Sequence, residues 1–298
     1  MTNKITSDIL VAYAQCQRKA YLLLHTDETG KANEYTTIIE RKKSINQTTY
    51  LENLNHERPE LSSCNSMNLI NGNDLLINVM LHSKEHEAPC AILEKKLLPS
   101  LLGEHSYEPI IFIGTSHINN FQKLELIFAG YILGQIQDKL PANGKIIVAD
   151  LKFHEVNLEN EYKKLKTIIN DLHDLIQKKP SESPLTILNK NCPYCQFQYF
   201  CRTEAEKEDN LSLLSHATEK LIKRYRGKGI FTIKQLSYLY KPIPLHTTLR
   251  VRHLPGIFDP GGEVHDALHA QPDRLQTGLA IALAPEKPAE TGDEAHHL

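Results

Sequence analysis

The chain has 298 residues, 41% of them hydrophobic and 23% charged, with a formal net charge of -2. No apolar run approaches the roughly 20 residues that cross a bilayer, and the start, MTNKITSDILVAY, lacks the charged-then-apolar layout of a secretory signal. A cytoplasmic protein of one large or two smaller domains is therefore expected, with no membrane partner, and the near-neutral charge alone carries no case for nucleic acid.

In chain order, Thr6, Ser7 and Asp8 offer capping oxygens for a helix running to about His25, with Leu10, Tyr13, Ala14, Tyr21 and Leu24 at helical spacing. Cys16 is placed on that helix, beside Arg18 and Lys19. A polar region with helical potential extends to about residue 60. Short apolar, β-branched runs then predict strands at Asp74–Leu81, Cys90–Lys95 and Tyr107–Ile113. Asn119 caps a helix over Asn120–Gln137, Gly144–Ala149 is a further strand, and Leu158–Gln177 is a charged amphipathic helix. Strands followed by a helix and another strand imply a mixed α/β core. Asp209 and Asn210 start a helix through about Arg224, and Thr232 caps a short one. From about residue 242 the composition shifts to Ala, Pro, His, Arg and Gly. Residues 243–298 are expected to be a disordered or truncated tail, an abrupt change that also fits a shifted reading frame.

The chemistry concentrates in cysteines. Cys192, Cys195 and Cys201 form a C-x2-C-x5-C run, and Cys16 lies far upstream in Gln15-Cys16-Gln17-Arg18-Lys19-Ala20-Tyr21. Closely spaced thiols in a chain without a secretory signal point to a metal rather than to disulfides. An iron–sulfur cube takes four Cys ligands, and Zn²⁺ accepts the same four. Cys64 and Cys90 lack ligand spacing and read as structural. Histidines 82, 86, 105 and 117 lie near the strands and could assist a metal, but without pairwise spacing they read as polar surface. There is no G-x-x-x-x-G-K-[ST] loop and no G-x-S-x-G elbow, which excludes P-loop ATP use and a serine-hydrolase site.

The cysteine frame, together with Ser106-Tyr107-Glu108-Pro109, Lys123-Leu124-Glu125-Leu126 and the stretch Gly229–Tyr238, resembles the RecB-like nucleases that carry a four-iron cluster. These include AddB-type helicase-nucleases, CRISPR-associated RecB-like exonucleases and a bacterial family of RecB-like nucleases, within the PD-(D/E)XK superfamily. The likeness spans roughly residues 5–242. It implies an α/β, restriction-endonuclease-like mixed sheet flanked by helices. A 4Fe-4S cluster on Cys16, Cys192, Cys195 and Cys201 would tie the N-terminal helix to the C-terminal cysteine loop. It also implies action on DNA, single-stranded by expectation, in repair, recombination or defence, alone or with a separate helicase or exonuclease subunit. The organisation that follows is a nuclease-fold domain over residues 1–205 with the cluster loop at 189–203, then a basic helical segment over 206–242.

Related nucleases bind Mg²⁺ or Mn²⁺ through an Asp and an (Asp/Glu)-x-Lys pair, hard anionic oxygens for a hard cation. Here Ala91 stands at the Asp position. The strand after Tyr107 offers Glu108 but no lysine, and Glu125 and Ala129 stand where a Gln-x3-Tyr motif is expected. The catalytic set is thus degenerate by resemblance. A local D…E-x-K pattern, Asp74 with Glu94-Lys95-Lys96, supplies rival candidates, so Asp74, Glu94, Lys96 and Glu108 are the residues to test. For DNA, the basic run gives Lys223, Arg224, Arg226 and Lys228, and Arg18 and Lys19 extend the same surface. A non-catalytic DNA-binding or scaffold module is the alternative to an enzyme.

Overall fold

The computed structural model describes residues 4–27, 29–57, 62–63, 66–179, 182–215 and 217–239. Cys64 and the segment 243–298 lie outside the described residues.

A short strand β1 (Ile5–Thr6) leads into helix α1 (Ser7–Gln15), whose N-terminus is capped by Thr6 accepting from the Ile9 amide. The predicted single helix to His25 is instead two, because Cys16 adopts an extended conformation (φ -170°, ψ 118°) before α2 (Gln17–His25) begins. Helix α3 (Glu34–Glu57) follows, then β2 (Ser62–Ser63) and α4 (Ser66–Asn71). Next come β3 (Leu75–His82), β4 (His86–Lys96) and β5 (Ser106–Phe112), an antiparallel meander in which Ile77 faces Ile92 and Ile92 faces Ile110.

Helix α5 (Asn120–Gln137) carries the predicted cap: Asn119 accepts from the Phe121 and Gln122 amides, and Gln122 returns a bond to the Asn119 amide. It crosses to β6 (Asn143–Ile147), which runs parallel to β5. Strand β7 (Phe153–Asn157), which the sequence pattern did not mark, pairs antiparallel with β6 at the edge. Helix α6 (Tyr162–Gln177) is four residues shorter at its start than its apolar pattern suggests, because a 3-10 turn occupies Glu159–Glu161.

The mixed sheet has seven strands in the order β2-β3-β4-β5-β6-β7, with β1 parallel to the start of β4. A large apolar cluster joins α1, α5 and α6 to the sheet through residues such as Leu10, Phe128, Leu133, Ile169 and Leu172. A smaller one puts Tyr50, Leu51 and Leu54 of α3 on Ile92, Ile110 and Phe112. Helices thus cover both faces, and burial of these side chains, worth about 1.5–3 kcal/mol each, sets the positions of everything polar described below. Gln137 at the end of α5 is fully buried yet satisfied, accepting from the Tyr107 amide and donating to the carbonyls of Tyr107 and Lys139.

After the sheet, a 3-10 turn (Cys192–Tyr194) and α7 (Gln198–Lys207) carry the cysteine run, so Cys201 sits on a helix rather than in a loop. The helix expected from Asp209 is a 3-10 turn at Leu211–Leu213. The true helix α8 (Glu219–Arg226) starts later, at a Thr218 cap, and α9 (Ile233–Ser237) follows the Thr232 cap. Asp209 has a left-handed backbone (φ 50°), which ends regular helix there. Among the described residues, no helix is long and apolar enough to cross a membrane.

Candidate functional site

The four predicted cysteines line one predominantly apolar pocket. The extended backbone at Cys16 ends α1, its amide still bonding the Ala12 carbonyl at 2.8 Å. Two asparagines of the C-terminal run meet the end of α1: Asn191 Nδ2 and Asn189 Nδ2 donate to the Gln15 carbonyl at 3.0 and 3.3 Å. They satisfy an acceptor that the helix end leaves open. Cys192 Sγ accepts from the Asn189 amide at 3.2 Å. From the other side, Gln196 bonds the segment before α3, its carbonyl accepting from the Lys31 amide at 2.9 Å and its Nε2 donating to Thr29 O at 2.7 Å. Gly30 makes that approach possible: its φ is +67°, and a Cβ there would sit 2.6 Å from Gln196 O.

Burial pushes the Cys16 and Cys192 thiols up from their ordinary range and raises Cys201 to about 12, with the neighbouring sulfurs adding to the rise. Among the described residues no three of these four sulfurs lie within 4.8 Å of one another. Zn²⁺ with Zn–S bonds of about 2.3 Å needs sulfurs only about 3.8 Å apart. Four soft sulfur donors are the set that an iron–sulfur cube takes, and Zn²⁺ accepts the same donors.

Arg18, two residues from Cys16, is structural in its contacts. Its guanidinium bonds both carboxylate oxygens of Glu204 at 2.8 and 3.1 Å, Ser183 Oγ at 2.8 Å and Pro184 O at 3.2 Å. With its side chain only 11% exposed, its charge is already engaged and it is not part of an open basic surface. Lys19 lies alongside Gln15, donating to Oε1 at 2.8 Å.

The position assigned by resemblance to the metal-binding Asp, Ala91, lines a second cavity together with Lys43, Gln47, Asn78, Ile111 and Glu125. Here β4 and β5 face α3 and the start of α5, and the strand opposite is distorted, with Asn78 at φ 52°. Two positions singled out by sequence, Ala91 and Glu125, therefore meet in one place. The third, the strand carrying Glu108, contributes Ile111 to the cavity and not its carboxylate. Glu125 is paired with Lys43 at 3.0 Å. Desolvation opposes the charged lysine, but the charge and hydrogen bond of Glu125 outweigh it and hold the Lys43 pKa above its ordinary value. An ammonium group thus neutralises the carboxylate that Glu125 brings to the cavity.

The rival candidates Glu94, Lys96 and Glu108 do come together, through the pairing of Glu94 with Glu108 across β4 and β5. Lys96 Nζ lies 2.8 Å from Glu94 and 3.4 Å from Glu108, and Lys145 of β6 reaches the same Glu94 oxygen at 2.6 Å. Desolvation raises the Glu94 pKa, yet hydrogen bonds and charge from Lys145 and Lys96 outweigh it and hold the carboxyl below its usual range. The Lys96 pKa shifts up: desolvation lowers it, but Glu94 and Glu108 prevail. Asp74, exposed just ahead of β3, does not join Glu94 and Glu108 within 4.8 Å. The arrangement is a closed ion-pair network whose carboxylates are already spoken for by lysines.

Of the predicted DNA-contacting residues, Lys223, Arg224 and Lys228 are exposed on or just beyond α8. Lys223 pairs with Glu219 at 2.6 Å, and Arg226 lies over the Phe231 ring at 5.3 Å. Sequence reasoning missed Lys43 and Lys145. Lys43 stands among the charges Arg41-Lys42-Lys43 of an otherwise unremarked helix, and only strand register brings Lys145 to Glu94. His86 and His105, expected at the surface, are 4% and 8% exposed.

A scan against protein-family models returns no match for this chain, and neither does a search of curated proteins.

Proposed function

We propose that this protein is a RecB-like, restriction-endonuclease-like module, stapled by a 4Fe-4S cluster, that binds single-stranded DNA without hydrolysing it. The fold assignment is supported by the order of elements: helix, three antiparallel strands, crossover helix, and a strand parallel to the third. Cys16, Cys192, Cys195 and Cys201 are the residues that would hold the cluster, whose four-thiolate demand they match. When bound, it would supply a rigid covalent tie between the α1–α2 break and α7 rather than a reacting centre.

The observation that carries the non-hydrolytic reading is the cavity at Ala91. A divalent cation needs several hard oxygens. This cavity offers Glu125, and Lys43 already holds it. The second acid cluster is closed by Lys96 and Lys145. What remains suited to DNA is charge and stacking. Lys223, Arg224 and Lys228 can neutralise phosphates, and exposed Tyr194, Tyr199 and Phe200 around the cysteine run offer faces on which bases stack. A separate helicase or exonuclease subunit would then supply the cutting.

Anaerobic purification, metal analysis and a visible spectrum, followed by binding and Mn²⁺-dependent hydrolysis assays on single-stranded DNA, test this reading. The expected result is about four irons per chain, salt-sensitive binding and no hydrolysis. Mn²⁺-dependent cleavage abolished by Glu94→Ala would restore the enzyme reading. Protein without iron would remove the cluster.

A further inference from the structure

Away from the cysteines and the Ala91 cavity, the turn between β3 and β4 meets α6 at three side chains, Glu85, His86 and His173. One ring nitrogen of each histidine and one Glu85 carboxylate oxygen lie within 4.8 Å of one another. His173 Nε2 is 3.9 Å from Glu85 Oε2. His86 is 4% exposed and its Nε2 is buried; no hydrogen bond of normal geometry reaches it, although the Gln135 side chain is a hydrogen-bonding neighbour of the ring. A buried polar atom without a well-formed bond calls for an explanation, and a bound ion is one that the neighbouring Glu85 and His173 donors fit.

The surroundings favour an ion. The other nitrogen of His86, Nδ1, lies 3.2 Å from Ser83 Oγ; when Nδ1 donates there, the Nε2 lone pair can take an ion in place of the Gln135 side chain. This is how histidines that bind metals are oriented, the second nitrogen being held by an oxygen. Phe128 and Tyr131 pack edge-on to the ring, with centroids at 5.8 and 5.7 Å, and fix its plane. The Ile5 amide bonds the Glu85 carbonyl at 2.9 Å, which anchors the turn to β1. A solvent-open pocket lined by His82, Lys84 and Gln135 adjoins the ring and gives an ion its way in.

We propose that Glu85, His86 and His173 form a binding site for a divalent transition-metal ion of the zinc type, with water completing the shell. Two imidazoles and one carboxylate are donors that Zn²⁺ takes at about 2.0–2.2 Å, a contraction that rotations of the exposed Glu85 and half-exposed His173 side chains accomplish. The ion clasps the β3–β4 turn to α6, two elements far apart in sequence. The proposal does not depend on the DNA-binding reading.

The test is competition for Zn²⁺ against a chromophoric chelator, using intact, anaerobically purified protein and the variants His173→Ala and Glu85→Gln. Both residues are well enough exposed for the variants to fold, and their iron content and visible spectrum report that directly. The expected result is one Zn²⁺ held by the parent protein in addition to anything on the cysteines. Its affinity falls more than about 100-fold in His173→Ala and at least about 10-fold in Glu85→Gln, at or beyond the loss that even outer-shell changes cause. Zinc held by cysteines is untouched by either substitution and cannot imitate this result. Equal affinity in all three proteins overturns the site, as does anomalous scattering at the zinc edge that places zinc on the cysteines alone.

Discussion

Arg18 grips Glu204 with two hydrogen bonds, 2.8 and 3.1 Å long, and so joins the helix that follows Cys16 to the helix that carries Cys201. Thr186 donates to the same carboxylate, which ties in the segment between them. The cysteine pocket is therefore held together by these protein contacts. Replacing Arg18 by Ala leaves Glu204 partly buried with no cation. The expected loss is about 2–3 kcal/mol, somewhat below the cost of breaking a fully buried pair. Arg18→Lys recovers only part of it, because an ammonium cannot match the two-pronged geometry. Denaturant unfolding of the three proteins measures the difference, and equal midpoints would show that the pair is ornamental.

The Glu94–Lys96–Lys145 network makes a prediction with a defined sign. The folded-state pKa of Glu94 is depressed below the carboxylate value of 4.5. The unfolded chain therefore binds the proton first as pH falls, and the network contributes stability above the unfolded pKa that is lost as pH drops through the folded one. Glu94→Gln should flatten the acid side of the stability profile below about pH 4.5 and change little near pH 7 beyond about 1 kcal/mol, since solvent screens these partly exposed groups. A profile as steep as that of the parent protein would reject the assignment.

The elements legible in the sequence are those whose pattern is local and strong. Asn119 with Gln122 is a complete capping box, and the apolar spacing behind it predicts α5 to the residue. The break at Cys16 is not legible, because Leu10, Tyr13, Tyr21 and Leu24 keep helical spacing across it. Its hydrogen-bond partners, Asn189 and Asn191, lie more than 170 residues away in sequence. Strand β7 escapes notice because it is a largely exposed edge strand, with Phe153 at 67% exposure, and shows no inward-facing alternation. The convergence of the four cysteines could be anticipated from residue type and spacing. The salt bridges that close both acidic sites could not, since Lys43 and Lys145 acquire meaning only through the packing of α3 and the register of β6.

Lys43 and Glu125 occupy the cavity where the resemblance puts a metal, with side chains 27% and 19% exposed. A double-mutant cycle of Lys43→Met and Glu125→Leu should give a coupling of about 1–2 kcal/mol, between the surface and buried cases. The doubly apolar protein should be no less stable than either single variant, since it strands no charge. Millimolar Mn²⁺ should leave the melting temperatures of the parent and of Lys43→Met alike, because Glu125 with one or two amides is too poor an oxygen set. A manganese-dependent rise in Lys43→Met would mean that lysine merely masks a working metal site.

The proposed binding of DNA through α8 has its own signature. Arg224 and Lys228 are exposed, whereas Lys223 is paired with Glu219 and Arg226 lies over Phe231. The two without these engagements should carry most of the phosphate contact. For single strands, each contact contributes about 0.7 to the slope of log affinity against log salt. The pair Arg224→Ala and Lys228→Ala should then lower that slope by up to about 1.4 and weaken binding alike for all sequences. Thermal stability should barely change, because neither side chain is buried. Arg18→Ala offers the contrast: it should destabilise the fold and leave the salt slope of the folded fraction unchanged. If Arg18→Ala lowers the slope and the α8 pair does not, the DNA lies across the cysteine pocket instead of along α8.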